Sequence, residues 1–488
     1  MTEENLHNKI VSATKWSTIT EVASKLVSPV TNVILARILT PEIFGVVATV
    51  TMIVSFAEMF TDAGFQKYLI QHEFKNENIK FKNANVAFWT NFFISIFIWL
   101  FIVLCRDSIA VFVGNPGLGN VVAIASFQLI LTSFSSIQMA LYRRDFAYKK
   151  LFFVRIISMF IPLTITLPLA FYGLGYWAII IGNLVIQLTN ALFLTFNSKW
   201  KPSFFYDFGI LKEMFSFSMW SLVEAISIWF TTWIDSFIIG GFLNQYYLGL
   251  YKTSTTMVNS LMGLITGATT PVLFSSLSRL QQNNEEFDET FMKFQKLISM
   301  IVMPLGMGLY LYRDLATKLL LGSQWSEASD VIGMWSLSSS IVIVFGHYSS
   351  EYYRAKGKPR LSFFVQICHL IVLVPSLYIS LSFGFKTFLI TRSIVRLQMV
   401  VVHMLVMKYY LNFKISRIFV NLLPIMFASI VMSLTGLFLQ KFSSSYLWSF
   451  TSILLCILIY LLVLFLIPNT RKELKTFFMR IIHKKSGK

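Results

Sequence analysis

Ile43-Phe44-Gly45-Val46-Val47-Ala48-Thr49-Val50-Thr51-Met52-Ile53-Val54-Ser55-Phe56-Ala57 opens a run that stays apolar as far as Phe65, interrupted only by Glu58 and Asp62. About 20 such residues make a helix long enough to cross the ~30 Å hydrocarbon layer of a bilayer. The same pattern recurs on both sides of it. Fourteen candidate spans follow from the sequence: 16–38, 43–66, 84–105, 119–141, 151–172, 175–196, 213–240, 245–274, 291–312, 329–351, 361–382, 386–408, 417–439 and 446–467. The loops between them are about 20 residues or fewer. They leave no room for a soluble catalytic or nucleotide-binding domain, so function must reside in the membrane.

The composition agrees. Of 488 residues, 56% are hydrophobic and only 13% charged, with a mean hydropathy of +0.67. Soluble domains carry roughly 25% charged residues, so a water-soluble fold is excluded. The 48 Phe, 11 Trp and 19 Tyr suit lipid contact and interfacial belts. The net charge of +18 lies in short tracts between apolar runs, which argues for membrane orientation and against nucleic acid. Cys105, Cys368 and Cys456 are scattered and give neither a disulfide framework nor a metal site. No cleavable signal peptide, Gly-x-x-x-x-Gly-Lys loop or His-Glu-x-x-His motif is read.

Loop charge alternates along the chain. Lys75, Lys80 and Lys82 fall on one side, with Arg143, Arg144, Lys149 and Lys150, then Lys199, Lys201 and Lys212. The same side takes Arg354, Lys356, Lys358 and Arg360, and later Lys408, Lys414 and Arg417. The opposite loops hold few cations, among them Arg106, Arg313 and Lys441. The positive-inside rule then places both termini in the cytoplasm of a multi-pass cytoplasmic-membrane protein. The basic tail from Arg471 to Lys488 has helical apolar spacing and is expected on the lipid surface.

The sequence also repeats. At a shift of 211, Tyr142-Arg143 meets Tyr353-Arg354, Phe152-Phe153-Val154 meets Phe363-Phe364-Val365, and Gly173 meets Gly384. At a shift of 204, Trp16-Ser17 meets Trp220-Ser221 and Gly45 meets Gly249. Six helices per copy is an even number, so both copies insert the same way up and enclose a central site. The expected fold is an all-α polytopic membrane protein of about 14 transmembrane helices. Its expected units are a six-helix lobe at 1–205, a second at 206–412, and helices 13 and 14 with the tail at 413–488.

Charges inside apolar runs are costly and mark candidate sites. Glu21 and Lys25 lie one turn apart and can pair. Glu58 and Asp62 are likewise one turn apart, and two carboxylates that close favour sharing a proton. Glu224 and Asp235 return to nearly the same face. These five acids supply the candidates for coupling to a proton or sodium gradient; alternatively they pair with Lys25 or backbone and hold helices together. Arg392, Arg396 and His403 draw one stripe on a helix, and Asn183, Gln187 and Asn190 another on its repeat partner. With Arg155, Lys25 and Lys252 they make a cavity suited to an anionic, phosphate-bearing cargo. For the arginine stripe, snorkelling or pairing with acids such as Asp235 is the competing reading.

Leu35-Ala36-Arg37-Ile38-Leu39-Thr40-Pro41-Glu42-Ile43-Phe44-Gly45 resembles the signature of Wzx-type polysaccharide flippases. The likeness continues through Phe60-Thr61-Asp62-Ala63-Gly64-Phe65, Leu69-Ile70-Gln71 and the Arg143–Phe153 segment. It implies the multidrug/oligosaccharidyl-lipid/polysaccharide exporter superfamily, whose two lobes alternate access to a central cavity. It further implies a flippase for undecaprenyl-pyrophosphate-linked repeat units of O-antigen, capsule or exopolysaccharide. Expected partners are the lipid-linked oligosaccharide, membrane lipids, and a polysaccharide polymerase with its chain-length machinery; no cofactor and no enzymatic step are expected. The alternatives are a drug/cation antiporter of the same superfamily and a membrane polymerase or glycosyltransferase.

Overall fold

A computed structural model describes residues 3–62, 64–468 and 470–471, with side chains from Ser12 onward except Leu26, Asp62, Phe217, Ser218, Trp220, Ser221 and Glu224. The basic tail beyond Arg471 lies outside the described residues. All regular structure among the described residues is helical. The long helices are α1 (Glu3–Ile38), α2 (Pro41–Asp62), α3 (Glu77–Leu104), α4 (Gly119–Arg144), α5 (Tyr148–Phe171), α6 (Tyr176–Asn197) and α7 (Phe208–Phe242). They continue as α8 (Gln245–Arg279), α9 (Asn284–Leu311), α10 (Ala328–Ala355), α11 (Arg360–Leu381), α12 (Phe385–Leu411), α13 (Ile415–Leu439) and α14 (Tyr446–Leu466).

Thirteen of these are long and apolar enough to cross a membrane. The fourteenth, α1, has ample length at 36 residues but a far more polar composition, with Lys15, Glu21 and Lys25 along it. The start of α3 is seven residues earlier than the apolar run implied, because the Asn76 side chain accepts from the Ile79 amide and caps the helix. Asp207, Asn283 and Ser445 cap α7, α9 and α14 in the same way. Apolarity locates a span; capping locates where the helix begins.

The chain divides into two compact units, residues 1–253 and 254–488. In the first, α2, α3, α4 and α6 close over Val50, Val54, Val122 and Leu129, and a second core gathers Phe65, Tyr68, Phe88 and Trp200. In the second, α14 shows how a lipid-facing helix is written. It buries Ser452, Cys456, Tyr460 and Leu464, one stripe at four-residue intervals, while Leu447, Leu454, Leu458 and Leu462 stay exposed. Only lipid gives so much exposed Leu a favourable solvent.

The repeat is visible in backbone conformation. Left-handed residues recur at Phe146 (φ 55°) and Gly357 (φ 72°), and at Gly173 (φ 83°) and Gly384 (φ 90°), each pair 211 apart. Short helices beginning Arg-Asp, Arg106–Phe112 and Arg313–Leu320, follow α3 and α9. Within the first unit the ends of α2 and α8 cross at repeat-related glycines. A Cβ on Gly45 would stand 1.9 Å from the Gln245 carbonyl oxygen, and one on Gly249 only 1.8 Å from that of Pro41. Two helix backbones touch there, which only glycine permits.

Candidate functional site

In the first unit, α1, α5 and α6 line a half-open cavity of about 220 Å³ among the apolar spans. Ser24, Ser28, Thr31 and Asn32 line it from α1, Arg155 from α5 and Asn183 from α6. The Arg155 guanidinium donates to Ser24 Oγ at 3.2 Å. Ser158, at the cavity wall, donates to Asn190 Oδ1 at 2.7 Å and so ties α5 to α6. Beside it the helix widens into a π-turn over Pro162–Thr166, a distortion frequent at functional sites. The cavity therefore joins Arg155 and Asn183, two of the predicted residues, and adds the small polar face of α1. Gln187, one turn further along α6, is not among the lining residues.

The other predicted groups of this unit are held by specific partners. Lys25 pairs with Glu21 at 3.3 Å, its side chain 25% exposed and that of Glu21 63%. Gln128 on α4 donates to Glu58 Oε1 at 2.9 Å. Asp235 is buried and accepts from the Tyr251 hydroxyl at 2.5 Å and from the Ser236 amide at 2.9 Å. The Lys252 ammonium sits 3.6 Å from the centre of the Trp233 ring, a cation–π contact. The side chains of Asp62 and Glu224 lie outside the described residues.

In the second unit the arginine stripe of α12 faces α10. Trp335 takes both cations: Arg396 lies 3.8 Å and Arg392 5.4 Å from its ring centre. Arg396 also donates to Ser338 Oγ at 3.0 Å, and the Trp335 indole N–H donates to Asn259 Oδ1 at 2.9 Å. Further along the stripe, the Tyr353 hydroxyl sits 3.1 Å from His403 Nδ1 and donates to the His403 carbonyl at 2.9 Å. The stripe is real, and its neighbour is an aromatic slab with small hydroxyls. Trp335, Ser338 and Asn259 escaped the sequence reading, although the run Trp335-Ser336-Leu337-Ser338-Ser339-Ser340 is unusually polar for a span. Arg and Trp together present donors and a flat apolar face, the usual means of holding phosphates and sugar rings.

Among the described residues no group of three or more His, Cys, Asp or Glu could hold a metal. What both units offer is fixed positive charge with hydroxyl and amide donors inside an apolar bundle. That set can bind and release an anionic, hydroxyl-rich molecule.

Comparison with known proteins gives a consistent result. A family model described as polysaccharide biosynthesis protein matches residues 34–330. The succinoglycan biosynthesis transport protein ExoT of Rhizobium meliloti (strain 1021) is 25% identical over 67% of this chain, a match spanning 65% of that protein's length. The lipopolysaccharide biosynthesis protein WzxC of Escherichia coli (strain K12) is 20% identical over 77% of this chain and 76% of its own. Among solved structures, the lipid II flippase MurJ in an inward closed conformation superposes with a TM-score of 0.75 at 14% identity, covering 92% of this chain and 98% of its own. The fold of that structure is therefore the fold of this chain.

Proposed function

This chain belongs to the polysaccharide biosynthesis protein family, and from that membership we propose that it is a flippase. Its cargo is an undecaprenyl-pyrophosphate-linked oligosaccharide repeat unit, moved from the inner to the outer leaflet of the cytoplasmic membrane for a surface polysaccharide. The observation that carries this reading is the polar cavity around Arg155 within otherwise apolar spans. A diphosphate brought into low dielectric without compensation loses many kcal/mol of hydration, so fixed cations and donors must meet it.

In this reading Arg155 answers the diphosphate within the first unit, while Asn183 and the α1 hydroxyls meet sugar; Lys25, Lys252, Arg392, Arg396 and Gln187 are further candidates to be tested singly. The lobes 1–205 and 206–412 alternate access, with 413–488 as the added pair of helices and tail. Glu21, Glu58, Asp62, Glu224 and Asp235 are the groups through which a proton or sodium gradient would act. The lysine-rich loops support cytoplasmic termini. Relatives named for transport and lipopolysaccharide biosynthesis support a pathway in which a polymerase and its chain-length machinery take the product. No bond is made or broken in this process, so the protein acts without catalysis.

The test is complementation of a flippase-null strain carrying a defined polymer, scored for surface glycan. The parent chain should restore export, and Arg155→Glu should abolish it while the protein stays in the membrane at normal abundance. Normal surface glycan from Arg155→Glu would overturn the cavity's role.

A further inference from the structure

A second and larger cavity, about 790 Å³, opens where the lysine-rich ends of α3, α4 and α6 meet. It shares no lining residue with the Arg155 cavity. Four cations, Lys80, Arg144, Lys150 and Lys199, line it against two carboxylates, Glu77 and Asp145, leaving an excess of two positive charges.

These cations divide into two kinds. Lys80 is buried and bridges Glu77 at 2.7 Å and Asp145 at 3.6 Å. Arg144 donates to the carbonyls of Leu69 at 2.9 Å and Ile70 at 3.1 Å, and so holds the preceding turn. Both are occupied with structure: Lys80 bridges the two acids, while Arg144 and Lys199 add a weaker attraction to Glu77. Lys150 and Lys199 are exposed at the mouth. Lys150 reaches only a 3.5 Å contact with the Asn197 carbonyl and lies 5.2 Å from the Tyr142 ring centre. The exposed side chains of Lys150 and Lys199 thus carry the excess positive charge to the mouth.

An independent observation points to the same place. Phe146, at the rim of the cavity, adopts φ 55° with its side chain 40% exposed. A β-carbon in that region is strained, and strain of this kind gathers where a ligand or a switch requires it. The repeat partner 211 residues on is Gly357, at φ 72° and without strain. The same turn can therefore be built with glycine, and in this half it carries an exposed aromatic ring over a cationic cavity instead. Phe74, Phe81 and Trp200 continue the aromatic wall inward.

We propose that this cavity binds a phosphate or diphosphate group between Lys150 and Lys199, with the Phe146 ring covering the organic portion attached to it. Two sources share that chemistry: the head groups of anionic lipids in the adjoining leaflet, and soluble diphosphate. Basic pockets at the ends of membrane helices suit the first, each lysine near a surface adding to the attraction. The inference does not rest on the flippase reading, because its readout is binding of lipid or pyrophosphate to the purified chain and not export of glycan.

The full chain, purified and delipidated in detergent, is titrated with cardiolipin, phosphatidylglycerol and phosphatidylethanolamine, read by native mass spectrometry. A parallel calorimetric titration uses inorganic pyrophosphate. The parent should retain cardiolipin over phosphatidylethanolamine, and Lys150→Gln with Lys199→Gln should weaken that binding roughly tenfold. Phe146→Gly should also weaken it without lowering the unfolding temperature, since glycine relieves the turn; a merely structural phenylalanine would leave binding unchanged. Pyrophosphate binding with the same lysine dependence, and no selective lipid binding, assigns the site to soluble diphosphate. Absence of binding by both probes in the parent, or equal affinity in parent and variants, overturns the proposal.

Discussion

The two units hold their intramembrane charges in different ways. In residues 1–253 Lys252 stacks on Trp233, but Arg155 rests on a single serine hydroxyl beside a cavity of about 220 Å³. In residues 254–488 the arginines of α12 are packed on the Trp335 ring, and Arg392 is buried. One cation is available to a ligand, and the other pair belongs in large part to the bundle. The turns were duplicated, with left-handed residues at 173 and 384, although the π-turns Pro162–Thr166 and Ile343–His347 are not repeat-related. The polar interior diverged, because a helix pair tolerates any polar side chain that finds a partner, whereas a hairpin tolerates few residues at positive φ.

The largest effect on this comparison should come from the crossing of α2 and α8. Gly45→Ala or Gly249→Ala places a methyl within 2 Å of a backbone oxygen and should destabilise the fold by about 2–3 kcal/mol, read as a lowered unfolding temperature of the purified protein. Gly263→Ala, on the same α8 but with open space around it, should be neutral or stabilising by about 0.5 kcal/mol. Equal behaviour of Gly249 and Gly263 would remove the case for a backbone contact.

Next in size is the contrast between the arginines. Arg396→Ala loses a part-buried cation–π contact and a charged hydrogen bond, and should cost about 2 kcal/mol. Arg155→Ala should leave the unfolding temperature within about 0.5 kcal/mol of the parent while losing surface glycan. If Arg155→Ala destabilises as much as Arg396→Ala, the two units use their charges alike. The smallest destabilisation belongs to the hairpin after α10: Gly357→Ala should cost about 1 kcal/mol, since it is left-handed with nothing nearby to clash. Alanine tolerated there without loss would weaken the reading of Phe146 as strained.

Much of the fold was legible in the residues. Span positions followed from uninterrupted apolar runs such as 43–66, because a bilayer leaves no other state for them. Helix ends were less legible: α7 begins at Phe208, not near 213, because Asp207 caps it. The short helix Phe65–Gln71 lay hidden in a segment read as the end of a span and a loop. Of the candidate site, the Glu21–Lys25 pair and the one-sided stripe of α12 followed from helical spacing alone. The Gln128 partner of Glu58 and the Trp233 partner of Lys252 did not, since each depends on which helix packs alongside.

The sequence by itself determined a helical membrane protein, its duplicated plan, and the charges its spans carry, because hydrophobic length, helical period and repeat offsets are local properties of the chain. Only the tertiary structure decided which charges face a cavity and which are stacked or bonded away. Those outcomes depend on approach between segments tens to hundreds of residues apart, such as Ser24 with Arg155 or Asn259 with Trp335. In a low-dielectric interior the partner found there, and not the residue type, sets whether a charge serves the fold or a ligand.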